Sequence, residues 1–310
     1  MMKNPGWIDL QINGCLGIDY SQPDLTEEQF LKTAEWLFEQ GTEVYLPTMV
    51  TSTMEIYRRN GELIRKAVES HGLQKHIPGL HLEGPFLIPS PGAIGSHRPD
   101  WTQKPSAESV RALFDAVGGF VCKLTLAAEA PGAIAAIQET RRLKVIPSIG
   151  HHLALSDCIE RAAQQGALTL THLGNGCPNL INRHFNPIWS GLAEDRLTAM
   201  IITDGNHLPP ELIKVMLRAK GPSKVIVTSD GSCASGLKPG RYHMMNNDAV
   251  LEPDGKFWNP EKGCLVASSA TIAKCMTYLE SLDYLTDEEL LQVGRTNALN
   301  LLQEVCGYQP

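Results

Sequence analysis

Strand-like and helix-like segments alternate along almost the whole of this 310-residue chain, and that order leaves few folds open. Trp7-Ile8-Asp9-Leu10-Gln11-Ile12 alternates apolar and polar side chains as a strand does. Residues 26–40 then space Phe30, Ala34 and Leu37 for a helix, with Thr26 and Glu28 as early capping candidates. Further strands are predicted at 43–47, 77–82, 121–126, 145–149, 168–171, 198–202 and 224–229. Helices are predicted at 54–70, 106–117, 131–140, 156–165 and 210–220. Long loops run through Pro105 and over 174–190. A hairpin is expected at 249–258 around Pro253-Asp254-Gly255, and two helices near 268–281 and 286–302 finish the chain. This pattern calls for a parallel sheet with right-handed crossovers. Eight strands favour a closed (β/α)8 TIM barrel over an open doubly wound sheet. No repeat, low-complexity tract or linker divides the chain, so one domain over 1–310 is expected.

In such a barrel the reactive groups sit at the C-terminal strand ends. Three of those ends carry a group able to bind a metal: Glu83 in His81-Leu82-Glu83-Gly84-Pro85-Phe86, His151 after Ser148-Ile149-Gly150, and His172 after Leu170-Thr171. Alone, each reads as easily as a capping glutamate or a core histidine. At one rim, one Glu, two His and an open position describe a catalytic divalent site, whereas a closed structural site needs four protein ligands. Asp230, in Val227-Thr228-Ser229-Asp230-Gly231, ends a fourth strand; Asp-Gly also favours a plain turn. Beside a metal it becomes a general base and then a general acid.

Around this set lie further candidates. His97 sits in the long loop with Gly92 and Gly95 and is able to reach over the mouth. Gly174-Asn175-Gly176 offers backbone N–H groups directly after a ligand, suited to an anion or a sugar hydroxyl. Arg183 and His207 are candidate anion ligands. His152 adjoins His151 but faces the other side of its strand, so it is expected behind the site or in solvent.

The net charge of −7 argues against a nucleic-acid or anionic-membrane surface. The eight cysteines are scattered, with no C-x-x-C pair, and read as reduced small apolar side chains. The N-terminus lacks an apolar signal core and no stretch is apolar enough to span a bilayer, so a cytoplasmic protein is expected.

Taken in order, these residues resemble the amidohydrolase superfamily, most closely its N-acetylglucosamine-6-phosphate deacetylases. The matching stretches run from Ile8-Asp9-Leu10-Gln11-Ile12-Asn13-Gly14-Cys15 through Tyr45-Leu46-Pro47-Thr48, HLEGPF at 81–86, Gly150-His151, Thr171-His172-Leu173-Gly174-Asn175, Asp204-Gly205-Asn206-His207 and Thr228-Ser229-Asp230 to Ala267-Ser268-Ser269. The resemblance implies that Glu83, His151 and His172 hold one divalent ion, zinc first and iron second, and that Asp230 is the catalytic aspartate. It places Asn175, Gly176, His97, Ala267 and Ser268 on the substrate. It puts Arg183 and His207 on a sugar phosphate, with Arg183 reaching across a homodimer. Gln11 and Asn13 stand where most superfamily members carry His-x-His, which implies a single metal. The flanking β-sandwich of those proteins has no counterpart in this chain. Segments 174–178 and 183–189 depart from the common pattern where a sugar would sit. The expectation is a metal-dependent deacetylase of an N-acetylated amino sugar, foremost the 6-phosphate. The alternatives are the same chemistry on an unphosphorylated sugar or another N-acyl or cyclic amide, and a non-catalytic sugar-binding barrel.

Overall fold

A computed structural model describes residues 6–245 and 247–310; residues 1–5, where no targeting segment is expected, lie outside the described residues. Eight parallel strands form one sheet in sequential order: β1 (Trp7–Ile12), β2 (Thr42–Val50), β3 (Leu80–Glu83), β4 (Val121–Leu126), β5 (Ile146–Ile149), β6 (Thr169–Leu170), β7 (Thr198–Ile201) and β8 (Val225–Val227). Ile12 bridges Gly231 in parallel, and Asn13 N donates to Gly231 O at 2.6 Å, which brings the first strand round to the last. Asp9 reinforces that seam. Its carboxylate is fully buried and accepts from Thr228 Oγ1 at 2.7 Å and from the Ser229 backbone N–H at 3.2 Å.

The helices between strands form for local reasons and then bury one stripe. Helix α1 (Glu27–Glu39) starts in a capping box, Thr26 accepting from Gln29 N and Gln29 reaching back, so the partner is Gln29 and not Glu28. It buries Phe30, Thr33, Ala34 and Leu37. Helices α2 (Met54–Ser70), α3 (Ala107–Ala116), α4 (Ala133–Arg142), α5 (Ser156–Gln164) and α7 (Pro210–Lys220) follow their strands as expected, while α6 (Pro187–Ala193) was not foreseen. Asn186 caps α6 by accepting from Trp189 N, and Pro187 opens it. Helix α8 (Ile272–Ser281) and a helical run from Asp287 to Cys306 complete the chain. That last run packs Ala298, Leu302 and Val305 into a cluster with Ile8, Leu10, Leu46, Ile146, Met200 and Ile226.

The expected hairpin is real and larger than foreseen. Between β8 and α8 stands an antiparallel sheet of β9 (Gly240–Met244), β10 (Asn247–Leu251), β11 (Phe257–Asn259) and β12 (Cys264–Leu265). Leu251 pairs with Phe257 across the turn. No helix among the described residues is long and apolar enough to cross a membrane.

Candidate active site

Barrel geometry delivers the site residues by ending strands abruptly. His151, His172 and Asp230 all take positive φ, at 51°, 31° and 51°, shortly beyond the ends of β5 at Ile149, β6 at Leu170 and β8 at Val227. Glu83 ends β3 and is followed by Gly84 at φ 92°. Left-handed conformations at three non-glycine residues are costly and cluster at functional sites. Below them the barrel interior is a belt of hydroxyls. His81 bonds Thr48 through Nδ1 (3.1 Å) and Thr125 through Nε2 (2.8 Å), and Thr125 bonds Thr171 (2.8 Å).

Above that belt four side chains converge. His172 Nε2 lies 2.9 Å and His151 Nε2 3.3 Å from Glu83 Oε1, and the two nitrogens are 3.1 Å apart. His97 joins from its loop, with Nε2 3.2 Å from His151 Nε2 and 3.7 Å from Glu83 Oε2. Two triads therefore share Glu83 and His151, one completed by His172 as expected and one by His97. The ligand atoms of Glu83, His97 and His151 all lie within 4.8 Å of one another. His151 Nδ1 donates to Ala93 O at 2.8 Å, which fixes the ring's orientation and aims Nε2 at the cluster. Imidazole nitrogens and a carboxylate oxygen turned toward one point form a donor set that fits a divalent ion. Burial opposes the charge on Glu83, but hydrogen bonds from His151 and His172 outweigh it and hold the carboxyl well below the usual range. Burial and the neighbouring His151 charge push His97 down to about 3, so it stands as a neutral imidazole.

Asp230 faces this cluster. Its Oδ1 accepts from Gln11 Nε2 at 2.9 Å and Asn13 Nδ2 at 2.8 Å. Gln11 Nε2 also donates to Glu83 Oε1 at 2.9 Å, so a neutral amide bridges the two carboxylates. Burial, and then the Glu83 charge, raise the Asp230 pKa above the usual carboxylate value. Lys123 lies deeper, fully buried with no acceptor for Nζ among the described residues. Burial pushes it down to about 7, with Glu83, Asp230 and Asp9 working the other way.

Glu83, His97, His151, His172 and Asp230 line one cavity of about 390 Å³, shared with Asn175, Gly176, His207 and Ala267. That volume is at the small end for ligand pockets, roughly 300–1,000 Å³. The scan of family models gives no match to the chain. An N-acetylglucosamine-6-phosphate deacetylase from Danio rerio is 31% identical over 310 residues, covering 96% of this chain and 74% of that protein. The chain belongs to the N-acetylglucosamine-6-phosphate deacetylase family. The Bacillus subtilis deacetylase of that name is 32% identical over 241 residues, 77% of this chain and 60% of its own length. The solved deacetylase of Pasteurella multocida superposes with a TM-score of 0.85 at 26% identity, over 96% of this chain and 76% of that one. This chain therefore spans about 60% of one such relative and about three quarters of another.

The other residues that the family resemblance placed on substrate divide into two groups. His207 lines the cavity and donates from Nδ1 to Asp204 Oδ2 at 2.8 Å. Burial alone would lower its pKa, but the Asp204 charge and hydrogen bond raise it. The Asn175 N–H is already spent on His172 O at 2.9 Å, which leaves its side-chain Nδ2, buried with no acceptor among the described residues, as its available donor. Gly176 must be small, because a Cβ there would stand 3.1 Å from both His151 Nδ1 and His172 Cε1. Ser268 is a step removed from the cavity, its hydroxyl donating to Asp204 Oδ2 at 2.7 Å. Arg183 is exposed outside the cavity, on a loop whose Leu180 and Phe185 are 94% and 72% exposed, next to Trp189 of α6 at 48%. His152 is buried, not in solvent, and accepts from Ala154 N. Sequence reasoning missed that His97 completes the cluster, since an isolated loop histidine carries no periodic signal. It also missed Lys256 and Trp258 on the cavity wall.

Proposed function

We propose that this protein removes the acetyl group of N-acetylglucosamine 6-phosphate by metal-assisted hydrolysis, giving acetate and the free amine. The single observation that carries this reading is the convergence of Glu83, His151 and His172 on one point, with Asp230 facing them. A divalent ion at that point supplies Lewis acidity, polarising the acetamide carbonyl and lowering the pKa of water from ~16 towards ~7.

The remaining chemistry belongs to the chain. Asp230 is held by two amides on Oδ1, while Oδ2 accepts no hydrogen bond among the described residues and is open to the water's proton. Its raised pKa suits a base that must give the proton back. An amine anion leaves poorly, so Asp230 returns the proton to the departing nitrogen. His97, neutral beside the cluster, is suited to orient the carbonyl or the ring hydroxyls. His207, favoured in its charged form by Asp204, offers a cationic donor to the phosphate.

Four narrower points belong to the same proposal. A single ion is supported by Gln11, whose amide occupies the space between Glu83 and Asp230. Zinc is the first choice and iron the second, because a Glu/His set accepts either. A homodimer is supported by the exposed apolar loop that carries Arg183, where a partner would cover Leu180 and Phe185 and receive the arginine. A cytoplasmic setting is supported by eight free cysteines. The test is acetate release by metal-reconstituted protein from N-acetylglucosamine, N-acetylgalactosamine and their 6-phosphates. Preferential release from N-acetylglucosamine 6-phosphate is expected. Equal kinetics with and without phosphate would end the phosphate part of the reading, and no release from any of the four would end the deacetylase.

A further inference from the structure

A sugar phosphate is a dianion entering a cavity that already holds Glu83 and Asp230, so something on its wall must favour negative charge. The strand β11 and the turn before it provide such a wall. Lys256 and Trp258 occupy alternate positions and both line the cavity. Phe257, between them, points the other way into the small sheet's own cluster with Ala249, Leu251 and Val266. The Trp258 indole is anchored by its Nε1–H to Glu252 Oε1 at 3.0 Å. The Lys256 ammonium lies 4.4 Å from the centre of that ring. Stacking of this kind shields one side of the ammonium without neutralising it, so the charge stays available to an anion.

The turn is also tied to the phosphate side of the site. Ser269 Oγ donates to Gly255 O at 2.7 Å, and its neighbour Ser268 donates to Asp204 Oδ2 at 2.7 Å. Asp204 in turn holds His207. This run of bonds sets the Lys256 turn and His207 along one wall. Among the lysines and arginines of the described residues, Lys256 alone lines the cavity, while Arg183 lies outside it.

We propose that Lys256 is a specificity residue, whose ammonium receives the 6-phosphate together with His207 while Trp258 holds the lysine stem in place. The proposal rests on the deacetylase reading for the identity of the substrate, and on the cavity alone for the anion site. A charge-assisted hydrogen bond to phosphate has a bidentate-free point-charge character here, as lysine provides.

The experiment compares wild type with Lys256→Gln, which keeps the stem over Trp258, and Lys256→Arg, which keeps the charge. Two readouts are taken on folded, metal-loaded protein: the ratio of kcat/KM for N-acetylglucosamine 6-phosphate to that for N-acetylglucosamine, and calorimetric affinity for glucosamine 6-phosphate against glucosamine. Lys256→Gln is expected to lower the ratio and the phosphate-dependent affinity about ten- to a hundredfold, mainly through KM, and Lys256→Arg to restore most of both. A Lys256→Gln protein with the wild-type ratio and wild-type affinity overturns the proposal. So does an equal loss on phosphorylated and unphosphorylated ligands, which would mark Lys256 as packing for Trp258. Lysine-dependent binding of glucosamine 6-phosphate without acetate release would uphold the anion site and sink the deacetylase reading instead.

Discussion

Replacing Asp230 by Asn separates proton transfer from everything else at the site. The backbone accommodates it, because φ at this position is 51° and asparagine tolerates the left-handed region as well as aspartate does. The retained Oδ1 still accepts from Gln11 Nε2 and Asn13 Nδ2. The substitution also removes the repulsion between Asp230 and Glu83 that helps to raise the Asp230 pKa. Thermal stability is therefore expected to match or exceed wild type, and metal content to stay the same. Turnover is another matter. General acid–base catalysis contributes about 10²–10⁴-fold, and Asp230 acts twice in one cycle. A loss of about 10⁴ in kcat, equivalent to about 5.4 kcal/mol at 1.36 kcal/mol per decade, is expected. The assay is acetate release at saturating substrate, with metal measured on the same sample. A variant that keeps its metal and turns over within about tenfold of wild type would refute the proton shuttle.

The two overlapping triads make opposite predictions for their third member. His172→Ala is expected to weaken metal binding by about 100-fold or more, whereas His97→Ala keeps the metal and loses turnover; the reverse pattern in metal analysis would make His97 the ligand. Gly176→Ala forces a Cβ to 3.1 Å from two imidazoles at φ 61° and should cost about 1–2 kcal/mol as well as metal affinity, and a variant with wild-type melting and metal content would contradict that packing. The Asp204–His207 pair has a pH signature. Burial opposes both charges, yet the pair lowers the Asp204 pKa below its ordinary 3.8 and raises that of His207 above 6.5. The aspartate's contribution is present above about pH 4 and lost as pH falls through its depressed folded pKa; the histidine's is full below about pH 6.5 and lost as pH rises through its raised folded pKa. Asp204→Asn should therefore destabilise most near pH 5.5, by about 3 kcal/mol, and less at pH 9, with equal melting shifts at both pH values counting against the pair.

The barrel was legible because periodicity reports burial. Trp7–Ile12, Val121–Leu126 and Met54–Ser70 have the expected limits, although in the two strands the polar Asp9, Gln11, Lys123 and Thr125 are as buried as their apolar neighbours. The strands β6 and β8 are shorter than read, at Thr169–Leu170 and Val225–Val227, because the chain breaks from strand geometry to place His172 and Asp230 in positive φ. Helix α6 escaped notice because Asn186-Pro187 lies inside a stretch read as loop, although an asparagine cap followed by proline is itself a helix start. Glu83, His151, His172 and Asp230 were legible for a different reason: each ends a strand, and the fold sends strand ends to one rim. His97, Ala267 and Lys256 lie on excursions, where position depends on tertiary packing that no local pattern encodes.

The charge balance is what supports the proposal of one ion over two. Glu83 and Asp230 are both buried carboxylates, and each raises the cost of ionising the other. Three devices offset that cost. Gln11 spans them with an amide whose two hydrogens serve Glu83 Oε1 and Asp230 Oδ1. Lys123 sits fully buried below, its Nζ without an acceptor among the described residues, close enough for both carboxylates to act on its pKa. The histidines turn ring nitrogens toward the cluster, and His151 is held in that orientation by Ala93 O. A dication held by Glu83 and the imidazoles would complete the neutralisation at one end of the bridge. A second dication at the other end would have to displace Gln11, the donor that holds both carboxylates, and would find an amide oxygen where a stronger imidazole ligand would be needed. Gln11→His with Asn13→His restores imidazoles at those places. If the amide bridge is what limits metal content, that double variant should raise bound metal from one towards two per chain. Unchanged stoichiometry would mean that the limit lies in the cavity and not in strand β1.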